Sequence, residues 1–256
     1  MPPTRYNGQN CYLWNYLKLV IKVIFSDPAR LILHVKDAFK YYKPWKSSLA
    51  CGGNPLIHRI PWIPFACQDF ISGSIGSASA VFEFGSGGST LYFACRVRHL
   101  VSVEHDEGWY ATAKCVIDED NVQNSEYYLE APISNSVEDS SGACPFGYSG
   151  DGYPGMTFIS YASKIDNYPD SSFDLVMVDG RARNACMWHS RMKVKPGGYL
   201  VLDNAEREKY SKGIALMKGW KERVFFGILP YMNGFCKTIV WKRPVEKSTD
   251  GVVQQG

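Results

Sequence analysis

No two of the eight cysteines, at positions 11, 51, 67, 95, 115, 144, 186 and 236, stand at the C-x-x-C spacing of a redox dithiol or a zinc knuckle. Several fall inside apolar runs and read as small buried hydrophobes kept reduced, the usage of a cytoplasmic protein. Charge of one sign is barely in excess: 28 Lys and Arg against 25 Asp and Glu leave +3. A surface that follows a phosphate backbone needs a strong basic surplus or a clustered stripe, so no nucleic-acid partner is expected. No apolar run reaches the roughly 20 residues that span a bilayer. The nearest approach, residues 11–25, contains Lys18 and Lys22 and has no small-residue cleavage site in a convincing position. It reads as an amphipathic helix rather than a span or a secretory signal. Its apolar face has three candidate partners: the rest of the domain, a second copy in a homodimer, or a membrane surface touched peripherally.

With 256 residues, 45% hydrophobic and 21% charged, the chain can bury one sizeable core with extensions. Ser26-Asp27-Pro28 has the form of a helix cap with proline in the first turn, starting a second helix that should end near Tyr42. Residues 43–79 change texture: Pro44, Pro55, Pro61 and Pro64 punctuate a segment holding Trp45, Trp62 and Phe65. That composition suggests an ordered lid or collar, either roofing a site or wrapping the core, rather than long regular elements. The chain is therefore divided into N-terminal helices and lid over 1–69, a main domain over 70–243, and a disordered tail over 244–256.

From Val81 onward apolar, β-branched runs recur. Val81–Gly85, Leu100–Glu104, Glu126–Ala131, Phe173–Asp179, Tyr199–Asp203, Val224–Leu229 and Cys236–Trp241 are seven strand candidates. The first five are joined by segments long enough for crossover helices, which argues for a parallel sheet covered on both faces. The last two are separated only by residues 230–235, a hairpin spacing that turns the final strand antiparallel. The expected fold is α/β: a Rossmann-like, doubly wound seven-strand sheet, mostly parallel, with an N-terminal helical extension. One connection is long: residues 132–172, rich in Ser, Gly, Asp and Tyr, with Thr157 to Ile165 a short strand or helix. A loop of that length is a functional element, here part of an acceptor pocket, or a flexible insertion.

The most informative stretch is Val81-Phe-Glu-Phe-Gly-Ser-Gly-Gly-Ser-Thr90, where an apolar strand runs directly into a glycine-rich turn. Such a turn lets a ligand approach the backbone closely. Glu104 follows at the end of the second strand, placed for a ribose diol. A dinucleotide fingerprint has a third small residue where Thr90 stands, so GSGGST fits NAD poorly. The stretch resembles instead the first motif of the class I S-adenosylmethionine-dependent methyltransferases. With Val103-Glu-His-Asp-Glu-Gly-Trp109 and Val178-Asp-Gly-Arg-Ala-Arg-Asn-Ala-Cys186 it is also similar to bacterial-type methyltransferase-like proteins, over roughly residues 70–243. The resemblance implies S-adenosyl-L-methionine as cofactor. Gly85, Ser86 and Gly87, with Ser89 and Thr90, would cradle it; Glu83 would contact its amino acid end, Glu104 its ribose hydroxyls, and His105 its adenosine.

A second constellation ends the fourth and fifth strands: Asp179, then Asp203 and Asn204. At the carboxyl ends of neighbouring strands these oxygens should converge on one crevice, and two carboxylates with an amide suit a hard cation such as Mg2+. The pattern is similar to the cation-dependent catechol and caffeoyl-CoA O-methyltransferases, which implies Asp179, Asp203 and Asn204 as ligands. Those enzymes have a lysine base three residues after the first aspartate, and here that position is Ala182. Either a metal alone acidifies the acceptor, His189 acts, or the two aspartates serve without metal. Arg181 and Arg183 would clamp an anionic acceptor or begin a helix with salt bridges. O-methylation of a small molecule is expected. A catalytically idle cofactor-binding or assembly protein, and a methyltransferase of macromolecules, are the alternatives. Against base methylation, no Asn/Asp-Pro-Pro-aromatic motif follows the fourth strand.

Overall fold

Two long helices open the chain, Gln9–Ser26 (α1) and Leu31–Ala50 (α2), in a computed structural model that describes residues 9–50, 52–134 and 144–245. Asp27 precedes a short 3-10 turn over Pro28–Arg30, so the proline sits where a first turn tolerates it. Its carboxylate makes no cap bond but meets Arg30 at 3.1 Å and His34 at 3.2 Å. The second helix does not stop near Tyr42. It continues through Pro44, although an interior proline removes one backbone bond and costs about 3 kcal/mol. Tertiary burial offsets that cost. Tyr41, Trp45 and Ser48, one face at i, i+4 and i+7, are all buried, and the Trp45 indole N–H donates to the Met232 carbonyl at 3.0 Å.

The proline-aromatic segment is accordingly more regular than its composition suggests. Pro55–His58 (α3) and Phe65–Ser72 (α4) are helical, with Asn54 capping the former by accepting from the Leu56 N–H. Cys67 and Ile71 of α4 are fully buried against the sheet, so the segment wraps the core. None of its residues lines the two clefts described below.

The sheet then builds in alternation: Ala80–Phe84 (β1), Gly88–Ala94 (α5), His99–Glu104 (β2), Glu107–Glu119 (α6) and Ser125–Leu129 (β3). The long connection carries Ile133–Ser134 (β4) paired antiparallel with Met156–Thr157 (β5), then Ile159–Ser163 (α7), so Thr157 to Ile165 contains both a strand end and a helix. Residues 135–143 and 246–256 lie outside the described residues, including most of the expected disordered tail. Phe173–Val178 (β6), Arg183–Ser190 (α8), Val194–Leu202 (β7), Ser211–Ala215 (α9), Lys221–Ile228 (β8) and Phe235–Lys242 (β9) complete the chain.

All seven expected strands form one sheet in the order β3-β2-β1-β6-β7-β9-β8. The pairs from β3 to β7 are parallel, and β9 runs antiparallel to both β7 and β8. Side-chain alternation sends Phe82, Phe84, Val176 and Leu200 to one face, beneath α7 and α8. Val81, Leu100, Met177 and Val201 go to the other, beneath α4 and α5. The helices α1 and α2 pack on β8 at the sheet's outer edge, burying Tyr16, Leu19, Val23 and Trp45 with Ile228. Replacing Trp45 by Ala should therefore lower the unfolding free energy by about 3–5 kcal/mol, read from urea unfolding.

Candidate functional site

The order of the sheet reverses between β1 and β6, and their carboxyl ends open a crevice there. Gly85 ends β1 at φ 90°, and a Cβ on it would stand 3.0 Å from the Gly180 backbone just past β6. Only glycine meets both demands. The N–H groups of the turn bond within the protein: Gly85 to the Val103 carbonyl, Ser86 to Glu104 Oε2 and Gly87 to Thr90 Oγ1. What the turn offers a ligand is thus a close, side-chain-free surface.

Glu83 lies one residue before that turn's last apolar position and is fully buried. Its Oε2 accepts from Thr90 Oγ1 at 2.6 Å and Ser102 Oγ at 2.8 Å, and Ser89 flanks the same carboxyl. Oε1 has no hydrogen-bond partner within the protein. Burial is the dominant influence and pushes the group up to about 7.

Glu104 is buried too, but its surroundings act oppositely. Oε2 accepts from the Ser86 N–H and hydroxyl, Oε1 from the His105 and Asp106 N–H groups. Burial works to raise its pKa; His105 and the backbone donors outweigh that and hold it below the usual carboxylate range. His105 Nδ1 stands 2.7 Å from Oε1, its ring among Tyr153, Phe158 and Tyr161. A cleft of about 280 Å³ joins Gly85, Ser86, Glu104, His105, Trp109 and Asp179. Trp109, to which the sequence reading gave no role in the site, has its indole over Gly87 and donates to the Ser86 carbonyl at 2.9 Å. Its signal was there: α6 begins at Glu107, so position 109 falls on the helix's first turn, beside the strand end.

At the ends of β6 and β7 the expected oxygen cluster is present, with a cation already in it. The Arg183 guanidinium donates to Asp179 Oδ1 at 3.0 Å, to the Asp179 carbonyl at 2.9 Å and to the Gly180 carbonyl at 3.0 Å. It also reaches the Asp203 carbonyl, and Asn204 Oδ1 at 3.5 Å. Asp203 turns its Oδ1 away, toward Thr238 Oγ1 at 2.6 Å and Cys236 Sγ at 3.4 Å. Asp203 and Asn204 line neither cleft. This donor set does not fit Mg2+: the guanidinium fills the space between the oxygens, and among the described residues no group of His, Cys, Asp or Glu could hold a metal. Burial, then mutual repulsion, raises Asp179 well above the carboxylate range. Burial also raises Asp203, against the pull of Arg183 and Thr238.

Arg183 is therefore a fixed internal charge, 5% exposed. Arg181 lines the first cleft and a second one of about 210 Å³, which Arg183, Ser149, Asp151, Asn184, Lys209 and Tyr210 also wall. Its Nε is buried without a partner. Ala182 is the N-cap of α8, in the left-handed region at φ 46°. His189, a candidate base, is not brought to the site. Six residues along α8 from Arg183, it bonds Asp166 at 2.6 Å and Tyr148 at 3.2 Å and lines neither cleft.

The strand order, with its antiparallel β9 between β7 and β8, is that of the class I methyltransferase fold. No protein-family model matches the chain, and no curated protein matches it in sequence. Solved structures do match. An rRNA methylase from Streptococcus thermophilus has 10% identity and a TM-score of 0.46, covering 70% of this chain and 93% of its own. An O-methyltransferase from Bacillus cereus in complex with SAH has 16% identity and a TM-score of 0.47, covering 68% and 77%. A methyltransferase-like protein from Silicibacter pomeroyi has 19% and 0.44, covering 72% and 89%. At these identities and TM-scores the matches decide nothing about the site, which is read from its own geometry.

Glu83 generates a prediction. With its pKa raised above that of the unfolded chain, it holds its proton longer when folded, so its contribution to stability falls as pH rises from about 4.5 to about 7. Urea unfolding should show Glu83→Gln gaining roughly 3 kcal/mol on the wild type between pH 5 and pH 8.

Proposed function

We propose that the protein is an S-adenosylmethionine-dependent methyltransferase that acts without a bound divalent cation on a small acceptor carrying an anionic or acidic oxygen. The observation that carries this reading is the meeting of two clefts at Gly180 and Arg181. One is walled by the glycine turn and Glu104, the other by Arg181, Arg183 and a Lys209 that is paired with Asp151. The cofactor supplies an electrophilic methyl group when bound; the protein's part is placement, exclusion of water and handling of one proton.

In this reading Glu104 would release Ser86 to accept from a ribose diol, and Glu83, buried beneath the turn and lining neither cleft, would act on the amino acid end only through the turn. His105 and Tyr153 pack the nucleoside side of the cleft. Arg181 Nε donates to the acceptor's anionic group, and its guanidinium cannot take a proton because it stays charged. Asp179 keeps one oxygen off Arg183 and lines the first cleft. With its basicity raised by burial and by Asp203, it takes the acceptor proton. Arg183 supplies the positive charge that a metal gives to related enzymes. One observation favours a second reading, an idle fold: Glu104 is already satisfied by four internal donors.

Calorimetric titration with S-adenosylmethionine and with its demethylated product separates the two. Saturable binding of both, unchanged by EDTA and weakened at least about 100-fold in Glu104→Ala, is expected. Absence of binding in folded protein would select the idle reading. Binding that requires magnesium would overturn the cation-free one. In turnover with any acceptor found, Asp179→Asn should lower kcat by about 10²–10⁴-fold while leaving cofactor affinity within a few-fold.

A further inference from the structure

The helical hairpin presents a second apolar face that its own packing leaves uncovered. Along α1, Leu13, Leu17, Ile21 and Phe25 form a ridge at spacing four, exposed by 50%, 42%, 52% and 81%, with Trp14 beside them at 62%. These positions lie on the far side of the helix from Tyr16, Leu19 and Val23, which are buried against α2 and β8. The other helix repeats the pattern: Ile32 and Phe39 are 71% and 85% exposed, opposite the buried His34, Tyr41 and Trp45. Leu31 and Leu33 extend the patch around the start of α2.

Charge says what covers it. Residues 9–50 hold seven basic side chains, Lys18, Lys22, Arg30, Lys36, Lys40, Lys43 and Lys46, against two acidic ones, Asp27 and Asp37. The difference, +5, exceeds the +3 of the whole chain, so the remainder is net negative. Both acids are turned inward. Asp27 is engaged with Arg30 and His34, and Asp37 is partly buried. Lys18 and Lys22 continue the row begun by Trp14, Lys18 standing 5.7 Å from that ring. Lys36 and Lys43 flank Ile32 and Phe39 in the same way. Aromatic and aliphatic side chains along a ridge with lysines on its flank are what a helix lying in the plane of an anionic bilayer presents. A second copy fits poorly, because a two-fold pairing of this face would bring like charges together. No helix among the described residues is long and apolar enough to cross a membrane.

We propose that the α1–α2 hairpin docks the protein peripherally on an anionic phospholipid surface, with Leu17, Ile21, Phe25, Ile32 and Phe39 entering the interface and the lysines meeting headgroup charge. The inference is independent of the methyltransferase reading. It is tested with the full chain by flotation with vesicles of phosphatidylcholine alone and of phosphatidylcholine with phosphatidylglycerol, at low and high salt. Binding to the anionic vesicles, reduced by salt and lowered about tenfold or more in the double variant Ile21→Glu, Phe25→Glu, is expected. Both positions are exposed, so the variant should keep the wild-type circular dichroism and melting temperature. No flotation with either vesicle overturns the proposal, and so does equal flotation with both. A wild-type dimer in sedimentation that the same variant turns into a monomer reassigns the face to a second copy.

Discussion

One buried guanidinium fixes the working edge of the sheet. Arg183 ties the carbonyls of Asp179, Gly180 and Asp203 and a carboxylate oxygen of Asp179 to the first turn of α8. A charge so placed is tolerated only because each of its three nitrogens finds an oxygen, and removing one partner of such a set typically costs about 3–5 kcal/mol. The path of residues 179–182, the left-handed Ala182 and the floor shared by the two clefts all depend on it.

Two glutamates on neighbouring strands show how environment divides the labour within the site. Glu83 and Glu104 are both buried, but hydroxyls alone serve the first, whereas backbone N–H groups converge on the second. The same residue type is thereby kept near neutrality in one place and ionised in the other. Such divergence at a strand-end crevice is common where charge is handled.

The fold was largely legible in the sequence. Strands buried on both faces leave unbroken apolar runs such as Leu175–Val178, and the short gap before Phe235 announced the antiparallel hairpin. The positions of Glu83, Gly85 and Glu104 were legible too, since they sit where a strand-turn pattern puts them. The course of α2 through Pro44 was not, because local propensity cannot weigh the contact between Trp45 and Met232, 187 residues away. The arginine among the strand-end oxygens was not legible, for a related reason. Asp179, Asp203 and Asn204 have the right chemistry for a cation, and only the fold shows that Arg183, the first residue of α8, turns back onto Asp179, the Asp203 carbonyl and Asn204. A clue was present in the arginine itself, at i+4 from the aspartate with an alanine where a base would be.

Gly85 and Gly180 face each other across the crevice, each within about 3 Å of where the other's Cβ would be, and a side chain at 180 would also collide with the Tyr161 hydroxyl. Neither position can change alone, and no change at one makes room for a change at the other. Descendants of this chain are free to diverge over most of its surface, but the pair is inherited together or lost together, a fixed point in a lineage otherwise open to drift.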